Sequence, residues 1–214
     1  MTKLIKQQIQ YYRQLLHLLF DHTSFINKTG YIKSLREGIP IDKNGKPTLW
    51  MNYSIIDFLT GRLNNNIKAF EWGSGYSTIF FAKYIKEITT IENNLEWYNN
   101  LQKMFEEVSN IELHHVPYGQ GYVDKIDDLS EDVKYGLIIV DGFFRVDCAK
   151  KAIEYLSEDG VLLLDDSNRE RYKDIFTYYN NNGFKELTFS GLKPSNIQLN
   201  TTTIFYRSNN VFNI

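Results

Sequence analysis

The sequence predicts an α/β fold in which a mostly parallel sheet is covered by helices on both faces. Three observations predict it. From Lys68 onward, β-rich segments alternate with helical stretches, the rhythm that parallel strands need because each crossover takes a helix. Residues 137–140 and 161–164 are apolar throughout, as strands buried on both faces are. The last two strands, 184–189 and 201–206, leave no room for a crossover helix and must run antiparallel.

Taken in order, Leu4, Ile5, Ile9, Tyr12, Leu15, Leu16, Leu19 and Phe20 recur at spacings of three and four, which predicts an amphipathic helix over about 3–21. Asn44-Gly45-Lys46-Pro47 is a turn signal. Ile55, Ile56, Phe58, Leu59 and Leu63 form a second helical pattern that ends in Asn64-Asn65-Asn66. Residues 1–67 therefore read as an N-terminal helical extension or cap, and 68–214 as the main domain. Within the latter, strands are expected at 69–72, 87–92, 111–116, 137–141 and 161–164, followed by the closing pair. Helices are expected between them, to about Lys86 and over 95–108, 148–156 and 169–182, the last stopped by Asn182-Gly183.

Composition narrows the function. A chain of 214 residues with 43% hydrophobic and 23% charged residues buries a real core without staples. A net charge of −2 gives no sign of a nucleic-acid partner. Cys148 is the single cysteine, so intramolecular disulfides and multi-cysteine zinc sites are excluded; it reads as a small buried apolar residue. The apolar runs are strand length, far short of the ~20 residues a bilayer crossing takes. Lys3 and Lys6 precede an apolar stretch, but His17 interrupts it and no small-residue cleavage site follows. No secretory signal or membrane partner is expected, and cytoplasm is the default compartment.

The chemistry concentrates where strands hand over to helices. Glu71-Trp72-Gly73-Ser74-Gly75-Tyr76-Ser77-Thr78 follows the first strand of the main domain. Its glycines let a ligand lie against main-chain N–H groups at the positive end of a helix. Glu92 ends the next strand, where a carboxylate can accept both hydroxyls of a ribose. A nicotinamide fingerprint wants a third small residue, and that position holds Thr78. Glu71, just before the first glycine, suits a ligand that carries an ammonium group.

These residues resemble the class I S-adenosylmethionine-dependent methyltransferases, with Glu71-x-Gly73-x-Gly75 as the first motif and Glu92 as the second. The resemblance covers roughly residues 68–207. It implies a seven-stranded Rossmann-like sheet ordered 3-2-1-4-5-7-6 with the last strand antiparallel, and S-adenosylmethionine as cofactor. It also implies that Glu71, Gly73, Ser74, Gly75, Ser77, Glu92 and Asn93 surround that cofactor, with the adenine against residues 117–123.

Asp141 ends the fourth strand and Asp165-Asp166 the fifth, so the three converge near the point where strand order reverses. Close carboxylates need a cation or shifted protonation. The pattern resembles the metal-dependent catechol-type O-methyltransferases, in which Asp141, Asp165 and Asp166 would hold Mg²⁺ or another divalent ion. Arg145 stands where those enzymes place a lysine base; arginine stays protonated and orients anions instead. The other reading gives Asp141 to the cofactor and uses Asp165 or Asp166 as a helix cap.

Further candidates are Arg169 and Arg171, as an anion-binding rim or as partners of Glu170 and Asp174. Trp50 and Tyr53 read as an aromatic wall or as core. At most one of His114 and His115 reaches the site, because neighbours on a strand point to opposite faces. Residues 191–200, with Lys193 and Pro194, read as a lid-like loop. The expected activity is methylation of an oxygen on a small-molecule or carbohydrate acceptor, with Asp141 or Asp166 as base and Arg145 beside them; a homodimer is open. Two other readings stand: a nicotinamide-dependent oxidoreductase, or a non-catalytic partner subunit with the same fold.

Overall fold

The computed structural model describes residues 3–130 and 133–214, apart from the side chain of Gln120. Four helices come first: α1 (Lys3–Phe20), α2 (Phe25–Lys28), α3 (Tyr31–Glu37) and α4 (Tyr53–Thr60). The alternating part follows: β1 (Lys68–Trp72), α5 (Tyr76–Ala82), β2 (Glu87–Glu92), α6 (Leu95–Phe105), β3 (Ile111–His115), α7 (Gln120–Leu129), β4 (Tyr135–Val140), α8 (Arg145–Ala152) and β5 (Leu156–Leu164). A 3₁₀ turn (Glu170–Tyr172) leads into α9 (Lys173–Asn181), and β6 (Lys185–Leu192) and β7 (Leu199–Tyr206) close the sheet.

The seven strands are ordered β3-β2-β1-β4-β5-β7-β6. β1 pairs in parallel with both β2 and β4, whereas β7 is antiparallel to β5 and β6. This is the expected architecture, and it puts the reversal of strand order at the ends of β1 and β4. Period-two alternation divides the core. Phe70, Trp72, Ile138, Val140, Leu162 and Leu164 share one face with residues of α7, α8 and α9. Ala69, Leu137, Ile139, Val161 and Leu163 share the other with α4 and α5.

Leu49, Met51, Ile55 and Leu59 are fully buried in that second cluster, so the segment before β1 contributes to the core of the sheet. The Asn52 side chain caps α4 by accepting the Ile55 N–H at 3.1 Å. By contrast α1 buries no residue at all. Among the described residues, no helix is long and apolar enough to cross a membrane.

The differences from expectation lie at element ends. β5 begins at Leu156 and not at Val161, because the polar Leu156–Asp159 stretch still reaches the Tyr135 edge of β4. β6 and β7 extend toward each other, which leaves only residues 193–198 of the expected loop as a connection. α2, α3 and α7 were not read from the sequence, and α8 starts at Arg145, three residues before its expected start.

Candidate functional site

A cleft of about 680 Å³ opens at the carboxyl ends of β1, β2 and β4. Its floor is the turn after β1. Gly73 has φ +99°, and a Cβ there would meet the Gly142 backbone nitrogen at 2.6 Å, so both conformation and the approach of the β4 turn require glycine. Gly75 is different. Its φ of 179° suits any residue, and a Cβ would meet nothing within 4 Å. Nothing in the protein demands a glycine there, yet a side chain would fill the cleft.

Glu71 is fully buried and does not line the cleft. It accepts from Ser77 Oγ at 2.7 Å, Thr78 Oγ1 at 2.5 Å and Thr90 Oγ1 at 3.0 Å. The Gly75 N–H in turn donates to Thr78 Oγ1 at 2.9 Å. The Glu71 carboxylate, expected beside a ligand ammonium, is thus turned to these hydroxyls and not to the cleft. Alternation along β1 sets it on the Ala69 face beneath α5, where it braces the glycine turn from behind. Burial pushes its pKa up to about 7, against the three hydroxyl donors. Thr78 takes the third position of the motif because its hydroxyl joins Glu71 to the turn.

Ser74, Ser77, Glu92 and Asn93 all line the cleft. Glu92 accepts the Asn94 N–H at 2.7 Å, and burial raises its pKa despite backbone donors from Asn94, Asn93 and Ser74. Two aromatic residues missed in the sequence complete this half. Trp97 donates its indole N–H to Ser74 O at 3.0 Å. Tyr76 sits 6.3 Å from both Trp97 and Trp50. The position of Trp97, in the first turn of the helix that follows Glu92, was the available signal.

The other half is built on Arg145, whose side chain is 10% exposed. Its guanidinium donates to Gly142 O at 3.1 Å, Asp165 O at 2.5 Å and Asp141 O at 2.7 Å, and pairs with Asp141 Oδ1 at 2.8 Å. Burial pushes the Asp141 carboxyl above the ordinary range, while Arg145 pulls it back. Asp165 accepts from Thr202 Oγ1 at 2.7 Å and Asn200 Nδ2 at 3.2 Å, and burial raises its pKa too. Asp166 is held by Arg169 and by Asn200 Nδ2 at 3.0 Å. Asn200 also accepts the Asn52 N–H at 2.9 Å.

These partners do not support the metal expectation. Among the described residues no group of three or more His, Cys, Asp or Glu could hold a metal ion. The donor set does not fit Mg²⁺, which asks for several free oxygen ligands. Arginine and amide donors already neutralise these acids.

Of the remaining candidates, Trp50, Arg169 and Arg171 line the cleft. Arg169 pairs with Asp166, and Arg171 donates to the Tyr172 hydroxyl at 2.9 Å, so the expected pairs with Glu170 and Asp174 are not formed. Tyr53 packs on Phe25 and Tyr31 away from the cleft. His114 contacts Glu112, His115 contacts Asn93 O, and neither ring lines the cleft. Residues 191–200 do not line it either; among 117–123, Tyr118 packs against Phe143 and Phe144, and Tyr122 against Phe144. Phe144 lines the cleft with φ +50°, a costly backbone for a bulky residue and of a kind that clusters at ligand sites. Cys148 is buried and its thiol is pushed up by burial.

No protein-family model and no curated protein matches this chain. Solved structures do. Precorrin-6y C5,15-methyltransferase from Geobacter metallireducens is similar at TM-score 0.58 and 13% identity, over 80% of this chain and 98% of that one. The O-methyltransferase TomG from Streptomyces achromogenes, solved with S-adenosylmethionine, matches at TM-score 0.56 and 14% identity, over 70% and 77% of the two chains. An rRNA methylase from Streptococcus thermophilus matches at TM-score 0.54 and 15% identity, over 71% and 93%. The chain shares the fold of these methyltransferase structures.

Proposed function

We propose that this chain is an S-adenosylmethionine-dependent methyltransferase that methylates an oxygen of a small-molecule or sugar-like acceptor. The observation that carries the reading is Gly75, a glycine that the protein's own packing does not need, facing open space in the cleft beside Glu92. That is a cradle a Cβ would fill, and it fits the cofactor. The backbone of 73–75 would hold the methionine part, with Ser74, Ser77 and Asn93 around it, and Glu92 would accept the ribose hydroxyls. When bound, the cofactor supplies a methyl group on a positively charged sulfur.

The chain's own residues then have two tasks. The first is alignment: Trp50, Tyr76, Phe143 and Phe144 wall the cleft and exclude water from an in-line transfer. The second is removal of the acceptor proton. Asp141 is the candidate base, because it lines the cleft and burial raises its proton affinity toward the working range. Asp166, the other candidate, does not line the cleft and is engaged by Arg169. Arg145 positions Asp141 and carries no proton away.

Titration calorimetry tests the reading. S-adenosylhomocysteine should bind, and NAD should not. Glu92→Ala should weaken the binding by about 1.5–3 kcal/mol, the range for hydrogen bonds to a charged group. Heat from NAD alone would favour the oxidoreductase reading, and heat from neither ligand the non-catalytic one.

A further inference from the structure

Helix α1 is amphipathic and is tied to the chain at its C-terminal end, where Asn27 donates to Leu19 O at 2.9 Å. It spans 18 residues and buries none of them, and Leu4 and Phe20 are 74% and 78% exposed. The folded chain exposes 11741 Å², against roughly 10,300 Å² for a compact monomer of this mass. At about 100° per residue, Leu4, Ile9, Leu15, Leu16, Leu19 and Phe20 fall within an arc of about 160°. Lys3, Lys6, Arg13 and His17 fall within about 80° on the opposite side. The helix contains no acidic residue. The nearest, Asp21, is already engaged by Thr23 and His17.

We propose that α1 docks this protein on the surface of an anionic lipid membrane, lying in the interface with its apolar arc inward. Two features choose this occupant over a second copy of the chain. A helix about 27 Å long and about 10 Å wide offers roughly 300 Å² to a partner helix, well under the ~800 Å² per side of a stable dimer. The second is charge: a second α1 offers no acid to Lys3, Lys6 and Arg13, whereas anionic headgroups complement them. A broad apolar arc with basic residues on the polar side is the pattern of interfacial helices. The proposal does not depend on the methyltransferase reading.

The test is co-sedimentation of the full chain with vesicles of phosphatidylcholine alone and of phosphatidylcholine mixed with phosphatidylglycerol, at low and high salt. Binding is expected to the mixed vesicles only, and to fall at high salt. Lys6→Gln with Arg13→Gln should weaken it about fivefold for each cation removed, and Leu16→Ser with Ile9→Ser should abolish it. Because α1 buries nothing, thermal midpoints of all variants should match the parent, which separates lost binding from lost folding. Equal binding to neutral vesicles, or binding to neither, would overturn the proposal. So would a dimer in light scattering that Leu16→Ser dissociates.

Discussion

The two halves of the cleft handle their carboxylates in opposite ways. Around β1 and β2, one acid (Glu71) is sunk behind the turn on three hydroxyls while its neighbour on the next strand (Glu92) lines the open space. Around β4 and β5, Arg145, Asn200 and Thr202 engage the acids. The first half is a rigid mould with free acceptor capacity, suited to one invariant ligand. The second is internally neutralised, so it can face an acceptor without an added cation.

The sharpest way to break this contrast is in the mould. Gly75→Val should abolish S-adenosylhomocysteine binding in calorimetry while the protein stays folded, since φ is extended and the Cβ meets nothing. Gly73→Val should instead compromise folding itself, because its Cβ would collide with the Gly142 backbone. If Gly75→Val binds as the parent does, the ligand does not occupy this floor.

On the other side, Arg145→Leu leaves Asp141 without its cation. Losing one partner of a buried pair costs about 3–5 kcal/mol, and the quarter-exposed Asp141 side chain favours the lower end. Denaturant unfolding would measure it. Divalent ions should not restore the lost stability, and EDTA should leave both stability and S-adenosylhomocysteine affinity of the parent unchanged. Rescue of the variant by Mg²⁺ would mean that the acids accept a metal after all.

The smallest effect concerns Glu71. Its folded pKa of about 7 lies above the ordinary carboxyl value of 4.5, so between those values the folded state holds the proton that the unfolded state has lost. Stability from this group is therefore complete below pH 4.5 and lost as pH rises through 7. Glu71 should contribute at most about 3 kcal/mol to the parent's loss across that window, and Glu71→Gln should make the fall shallower by that share. Equal slopes for parent and variant in pH-dependent melting would show that Glu71 is ionised throughout.

How far the sequence reached follows from these residues. Apolar runs and crossover spacing specify which strands are parallel and that the last pair is antiparallel, and the resemblance supplied their order, so the sheet was legible but for its strand ends. Gly73, Gly75 and Glu92 were legible because turn and strand end together leave few geometries. The hydroxyl partners of Glu71 were not legible because proximity to a motif does not say which face a side chain takes; alternation with Ala69 would have shown it. The partners of the acids after β5, Asn200 and Thr202, were not legible because they lie more than thirty residues on and meet them only through the antiparallel β7. Short helices such as α2, with four residues, carry too few periods to read.

Asn200 has a consequence for how such a protein diversifies. One amide group ties the start of α4, through Asn52, to the end of β5, through Asp165 and Asp166. Substituting any member strands buried partners of the others, so mutations here are coupled and seldom tolerated singly. The cleft residues Trp50, Phe143 and Arg171 lie outside that knot. Those three positions can change the shape and charge of the cleft without disturbing the sheet beneath it.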